Sequence, residues 1–362
     1  MPAACLKPVV WLGGGCCAAC LHNRLTLAAL IFNPYLHNHV MPAGLIFKMR
    51  GRWILRKLGI IGLGNVGALL ANLLVARQAV DELVLIDTDS DLAVGLQNDL
   101  LDGVSALAVQ PTIKVQDYAA LKDADAVVLA IGKAELLKER RFAELTDVGK
   151  MMRQIAPLIK QSGFSGVLLN LANPNEAATA YLQYLTELPR PKVIGLGTVL
   201  DTARLHRAIA DQVHVAPGAV TGFVYGQHDG EAVPIWSTFR INGQPLEKPV
   251  MGQKIDPHQS EIQAKLNGWY AIKGQGQDVS GMALWTMRIL QAVLSDEQVS
   301  FPVALYQPQY QSYLSFAAQL GRQGVGNYTL LPLRPLEEDQ LKVAAQNIQD
   351  QLNVLLELPT ED

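Results

Sequence analysis

Residues 58–87, LGIIGLGNVGALLANLLVARQAVDELVLID, leave a chain few ways to fold. A short apolar run stops at Gly62-Leu63-Gly64-Asn65-Val66-Gly67. A strongly apolar helix follows, and a second apolar run, Leu83-Val84-Leu85-Ile86, closes on Asp87. The order is strand, glycine turn, helix, strand, acid. Gly62 permits the tight turn, Gly64 lets the backbone approach a pyrophosphate, and Gly67 lets the helix pack closely on the strand. The helix N-terminus then faces the phosphates with unpaired N–H groups and the positive end of its dipole. Asp87 lies about twenty residues beyond Gly67, where a carboxylate accepts hydrogen bonds from adenosine ribose hydroxyls. The same carboxylate repels a 2′-phosphate, so NAD is expected over NADP. By itself GxGxxG is only a glycine-rich turn; its context makes this one a dinucleotide site.

The downstream pattern extends the unit. A helix is expected over 91–101 and a short strand over 112–115. Asp125 to Gly132 reads as a buried parallel strand whose glycine end faces the cofactor. A charged connection, KAELLKER (133–140), leads to a helix over about 142–161, and strands follow at 166–173 and 192–196. Strands alternating with helices specify an α/β fold with a doubly wound parallel (Rossmann) sheet. This NAD-binding domain is placed at 58–199. Beyond it, at 200–362, a substrate domain of α+β type is expected. It has a strand over 220–226, a hairpin turning at Asn242-Gly243, and a helical region over 257–294 broken at 274–276. Strands at 299–306 and 313–318 and a closing amphipathic helix over 336–356 complete it. A length of 362 residues with 49% apolar content suits two such cores. Net charge −3 provides no basic field for nucleic acid, so a small anionic substrate would need local arginines.

The first 57 residues are unlike the rest. They hold all four cysteines (Cys5, Cys16, Cys17, Cys20), while the first acidic residue of the chain is Asp81 and the first serine is Ser90. Cys17-Ala18-Ala19-Cys20 has metal or redox spacing but no second CxxC, so no metal is expected. His22-Asn23-Arg24 interrupts the apolar stretch short of the roughly 20 residues of a membrane span. The segment also lacks the marks of a secretory or transit peptide. It is expected to be a disordered or non-native extension, with Met49 a natural start, and the protein to be cytoplasmic.

The chemistry-bearing residues lie further on. Leu200-Asp201-Thr202-Ala203-Arg204 opens a helix with Asp201 and Arg204 on one face. A strand then delivers Gly226-Gln227-His228-Asp229-Gly230, a histidine among turn residues at a strand end. With GLGNVG, the LID acid, RFAEL, SGFSGVLL–NP, VIGLGTVLDTARL and PIWST, all in order from 58 to at least 290, the chain resembles the L-lactate/L-malate dehydrogenase family. It most resembles the L-2-hydroxyisocaproate dehydrogenase branch.

That resemblance implies roles. His228 would be the acid–base at the keto oxygen, a task suited to an imidazole pKa of roughly 6.5. Asp201 would hold its tautomer, and Arg204 would grip the substrate carboxylate with its two-pronged guanidinium. Arg141 would polarise the carbonyl from a mobile loop, and Asn173 would contact substrate and nicotinamide. Gly62, Gly64, Val66, Gly67, Asp87, Gly132 and Asn173 form the expected cofactor set. By resemblance the assembly would be a homotetramer or dimer, with no nucleic-acid or membrane partner.

Two positions depart from lactate enzymes. The loop position that carries Gln there, and Arg in malate enzymes, falls on Glu135 if the loop has equal length. A glutamate would repel a second substrate carboxylate, which disfavours malate; with a different loop length it would face solvent. The threonine of Gly-Tyr-Thr-Ser is replaced by Asp278 in Gly276-Gln277-Asp278-Val279-Ser280. His206 and Thr221 stand where enzymes activated by fructose 1,6-bisphosphate carry arginine and histidine, which disfavours that activation. The expected activity is therefore NAD-dependent interconversion of a 2-keto and an L-2-hydroxy monocarboxylic acid with an aliphatic or aromatic side chain. The alternatives are L-lactate dehydrogenase and, from another class, a non-catalytic NAD(H)-binding sensor.

Overall fold

The structure is a computed structural model describing residues 55–107, 110–132, 143–228, 230–246, 248, 252, 254–328 and 332–359. The 1–54 segment with its CxxC, and Glu135 and Arg141, lie outside the described residues.

Six parallel strands form the frame: β1 (Lys57–Ile61), β2 (Glu82–Ile86), β3 (Thr112–Val115), β4 (Ala126–Leu129), β5 (Val167–Asn170) and β6 (Val193–Gly195). Their spatial order, β3-β2-β1-β4-β5-β6, is that of a doubly wound sheet. Strands β1, β4 and β5 are buried along their whole length, as expected where helices cover both faces. Helix α1 (Asn65–Ala76) packs through Gly67, Leu70, Ala71, Leu74 and Val75. The remaining helices of this half are α2 (Ser90–Val104), α3 (Ala143–Gln161) and α4 (Asn175–Thr186). The strand order reverses between β1 and β4, and ligands of such sheets bind at the carboxyl ends of those two strands.

The second half begins with α5 (Val199–Val213). The strand expected over 220–226 is instead two short ones. β7 (Val220–Thr221) belongs to a small sheet with β10 (Arg240–Ile241) and β11 (Gln244–Pro245), while β8 (Val224–Gly226) joins the large sheet beside β9 (Ala232–Pro234). The break falls at Gly222, whose φ of +126° carries the chain between the sheets and whose missing side chain leaves room for the Phe239 ring. Helix α6 (Pro257–Gln275) ends at Gly276 in a left-handed cap, and α7 (Val279–Ser295) starts directly after it.

Strands β12 (Val299–Gln307), β13 (Ser312–Gly321) and β14 (Gly324–Tyr328) are antiparallel, and α8 (Pro335–Leu356) closes the chain. β12 pairs with β6 at Ala304 and Gly195, so one 11-stranded sheet runs from the parallel to the antiparallel half.

Candidate active site

The glycine turn leaves β1 with the Gly62 N–H donating to the Ile86 carbonyl at 2.8 Å. A Cβ on Gly67 would strike the Gly62 carbonyl, and one on Gly62 would strike the backbone of Ala130. Both glycines are therefore fixed by close backbone packing. Gly64, the residue before α1, differs. A Cβ there meets nothing within 4 Å, and no side chain caps the helix. Gly64, Asn65 and Val66 line an open cleft, so the N-terminus of α1 lies at its edge, the arrangement that receives a phosphate.

Asp87 directly follows β2 and turns back to this loop, its Oδ2 accepting from the Leu63 N–H at 2.6 Å and its Oδ1 from the Asp89 N–H at 3.0 Å. One carboxylate thereby locks the turn and still offers lone pairs to a ligand hydroxyl. The open cleft starts at Gly64 and Val66, passes Gly132 and Asn173, and ends at His228 and Asp278. The cradle, the acid and the cleft fit an NAD molecule. Gly64, Val66 and Gly132 would line its path, and Asp87 would meet its ribose.

Asn173 is held at the cleft by its neighbours. Asn170, buried at the end of β5, donates from Nδ2 to the Thr179 hydroxyl and the Ala172 carbonyl, and its Oδ1 accepts from the Ala172 N–H. Asn175 donates to the Asn170 and Ala172 carbonyls and accepts from the Gly197 N–H. These two asparagines tie the loop after β5 to the loop after β6. Sequence reasoning named only the third asparagine.

At the far end His228 leaves β8 with Nδ1 2.7 Å from Asp201 Oδ2. Their side chains are 14% and 20% exposed. Burial pushes the Asp201 carboxyl up, but the adjacent His228 ring and Arg204 outweigh it and hold the pKa below the usual carboxylate range. An ionised Asp201 makes Nδ1 the protonated nitrogen and leaves Nε2 on the ring edge away from it. Helix α5 is fixed against β8 by Thr198 Oγ1, which donates to the Val224 carbonyl at 2.5 Å, and by Thr202 Oγ1, which accepts from the Val224 N–H at 3.0 Å.

A second acid, absent from the sequence expectations, supports the histidine from behind. Fully buried Glu176 accepts at Oε1 from the His228 backbone N–H at 3.0 Å and from Ser315 Oγ at 2.6 Å. Its Oε2 has no partner, and burial pushes its pKa up despite Ser315 and His228. The only sequence signal was an acid in the first turn of a helix, which is commonplace.

Arg204 lies one turn beyond Asp201 on α5, as expected, but its Nη2 donates to Asp278 Oδ2 at 2.6 Å, with side-chain exposures of 16% and 15%. Gly268 of α6 makes room for the guanidinium; a Cβ there would lie 3.0 Å from Arg204 Cζ. The structure thus brings Asp201, Arg204, His228 and Asp278 together in one corner.

Two halves of one family account for nearly all the described chain. Residues 56–195 match the lactate/malate dehydrogenase NAD binding domain, and residues 198–358 match the lactate/malate dehydrogenase alpha/beta C-terminal domain. An L-lactate dehydrogenase 2 of Lactococcus lactis is 34% identical over 69% of this chain and 81% of its own length. An L-lactate dehydrogenase 1 of Staphylococcus aureus is 31% identical over 81% of this chain and 95% of its own. The crystal structure of a ligand-bound minor L-lactate dehydrogenase from Enterococcus mundtii superposes with a TM-score of 0.78 at 26% identity, covering 83% of this chain and 98% of that one. The chain belongs to the lactate/malate dehydrogenase family. It is an NAD-dependent oxidoreductase of the 2-hydroxy acid type.

Proposed function

We propose that this enzyme interconverts 2-keto and L-2-hydroxy monocarboxylic acids whose side chain is larger than methyl, as 2-hydroxyisocaproate's is. The observation that carries the reading is the His228–Asp201 contact at 2.7 Å, at the end of a cleft that begins at the glycine turn. His228 holds the proton that the keto oxygen receives on reduction and takes it back on oxidation. Asp201 keeps the ring in the tautomer with a proton on Nδ1 and stabilises the imidazolium. Bound NAD supplies the hydride acceptor or donor for the carbon bearing that oxygen. Arg204 is assigned to the substrate carboxylate and Arg141 to the developing charge on the oxygen, the latter on the resemblance alone. Asn173 is assigned to the substrate and the nicotinamide end of the cleft, and Glu135 to the exclusion of a second carboxylate.

The L-lactate dehydrogenase names of the relatives favour a second reading, with pyruvate as substrate. Asp278, standing where the lactate enzymes carry threonine, argues against the pyruvate site of those enzymes. A cytoplasmic homotetramer or dimer is proposed by the same resemblance. Exposed Trp269 and Tyr270 on α6 offer apolar surface for subunit contact, and among the described residues no helix is long and apolar enough to cross a membrane.

The test is NADH oxidation by the purified protein on pyruvate, 2-ketoisocaproate, phenylpyruvate and oxaloacetate. Higher kcat/KM on the two bulky monoacids is the expected result. Preference for pyruvate selects the lactate reading, and turnover of oxaloacetate defeats the charge argument. NADH binding with silence on all four defeats this substrate class and revives the non-catalytic sensor.

A further inference from the structure

The Arg204–Asp278 pair poses a problem for any substrate carboxylate. Asp278 occupies the N-cap position of α7, where an aspartate ordinarily accepts from its own helix, yet its side chain makes no capping bond there. It turns instead to Arg204, and Gly268 keeps the guanidinium within reach. Asp278 also lines the cleft that His228 closes. The cation assigned to the substrate's carboxylate is therefore already neutralised by a carboxylate of the protein. Asp278 already holds Nη2 of Arg204, so an entering monocarboxylate competes with it for the guanidinium and meets it as a like charge in a largely buried corner. A substrate carrying both a carboxylate and a cation escapes this penalty, because one internal ion pair is exchanged for two intermolecular ones.

From this geometry we infer that Asp278 is the specificity-determining residue of the substrate site. It acts through Arg204 to weaken plain 2-keto monocarboxylates and to favour 2-keto acids whose side chain bears a positive charge. The inference rests on the dehydrogenase reading above and sharpens its substrate class. Specificity of this kind comes from repulsion of the wrong ligand as much as from attraction of the right one.

Two matched acids test it: 5-(trimethylammonio)-2-oxopentanoate, whose quaternary nitrogen cannot cyclise onto the keto group, and its neutral isostere 6,6-dimethyl-2-oxoheptanoate. The ratio of their kcat/KM values is measured in the native enzyme, in Asp278→Asn and Asp278→Thr, which remove the charge, and in Asp278→Glu, which keeps it. The expected result is a ratio at least tenfold lower in the two neutral variants, carried by KM rather than kcat, and largely retained in Asp278→Glu. Affinity for oxamate, a monocarboxylate shaped like pyruvate but not reduced, is measured on the NADH complex as a readout independent of turnover. It is expected to rise at least tenfold in Asp278→Asn. Equal ratios in native and neutral variants, or oxamate affinity within twofold of native, overturn the assignment. If NADH and oxamate bind but no 2-keto acid turns over, the dehydrogenase reading fails, and the oxamate comparison alone decides the role of Asp278.

Discussion

The glycine turn after β1 and the corner where α5 meets α7 are both candidate binding sites, built from different materials. The turn is made of backbone. Gly62 and Gly67 are present because a Cβ would collide with main-chain atoms, and Asp87 ties the loop through a backbone N–H. The corner is made of side chains brought from far apart: Asp201 and His228 are 27 positions apart, Arg204 and Asp278 74, and Glu176 and Ser315 139. A backbone site needs a short, fixed pattern and so repeats across dinucleotide-binding chains. A side-chain site can change one member and keep its shape, which is how Asp278 enters opposite Arg204.

That contrast is tested most severely at His228. His228→Asn removes the imidazole proposed as proton donor while the glycine turn is untouched. Turnover on the best 2-keto acid is expected to fall on the order of 10²–10⁴-fold, the usual worth of a positioned acid–base group. NADH affinity, measured by fluorescence titration, is expected to stay near native. Turnover close to native would remove His228 from the chemistry, and lost NADH binding would show that the two regions are not separable.

Gly67→Ala attacks the other side. Its methyl group meets the Gly62 carbonyl, so α1 must move away from β1. Overpacking of this kind costs roughly 1–3 kcal/mol. The expected result is a lower melting temperature together with weaker NADH binding, because the same shift moves the helix N-terminus from the phosphates. A variant that melts as the native protein does and binds NADH normally would break the claim that this turn is fixed by backbone packing.

The sequence was legible where the backbone decides. The parallel strands, the glycine turn, the hairpin at Asn242-Gly243 and the break between α6 and α7 follow from period, glycine and turn chemistry. The single strand expected over 220–226 failed because alternation of residue types cannot show that Gly222 hands the chain from one sheet to another. Asp201, Arg204 and His228, which the structure brings together, were named because they sit in recognisable local strings. The loop asparagines Asn170 and Asn175, the spacer Gly268 and the buried Glu176 were not. Each acts through a partner distant in sequence or through space left empty, and neither leaves a local trace. Asp278 was visible as a departure, but its pairing with Arg204 was not.

Glu176 gives the mildest test, and the one that probes how the corner is supported rather than what it binds. Its carboxyl is raised by burial, so between the ordinary glutamate pKa of about 4.3 and its higher folded value the native state holds a proton that the unfolded chain has released. The native state binding more protons means that stability falls as pH rises through that window, by at most about 1.4 kcal/mol per pH unit, and levels off above the folded pKa. Asp201 works in the opposite sense. Its lowered pKa contributes stability above the ordinary aspartate value, and this is lost as pH falls through the folded one. In Glu176→Gln only the first contribution disappears. The glutamine oxygen can still accept from the His228 N–H and Ser315, while its amide leaves a buried donor unpaired, an offset of about 1–3 kcal/mol that does not vary with pH. The readout is therefore the slope. Melting temperatures of native and Glu176→Gln proteins, followed upward from pH 5, are expected to converge or cross as the native protein alone loses stability. Parallel curves would mean that Glu176 is ionised throughout, and the backbone of His228 would then rest on a buried charge rather than on a neutral carboxyl.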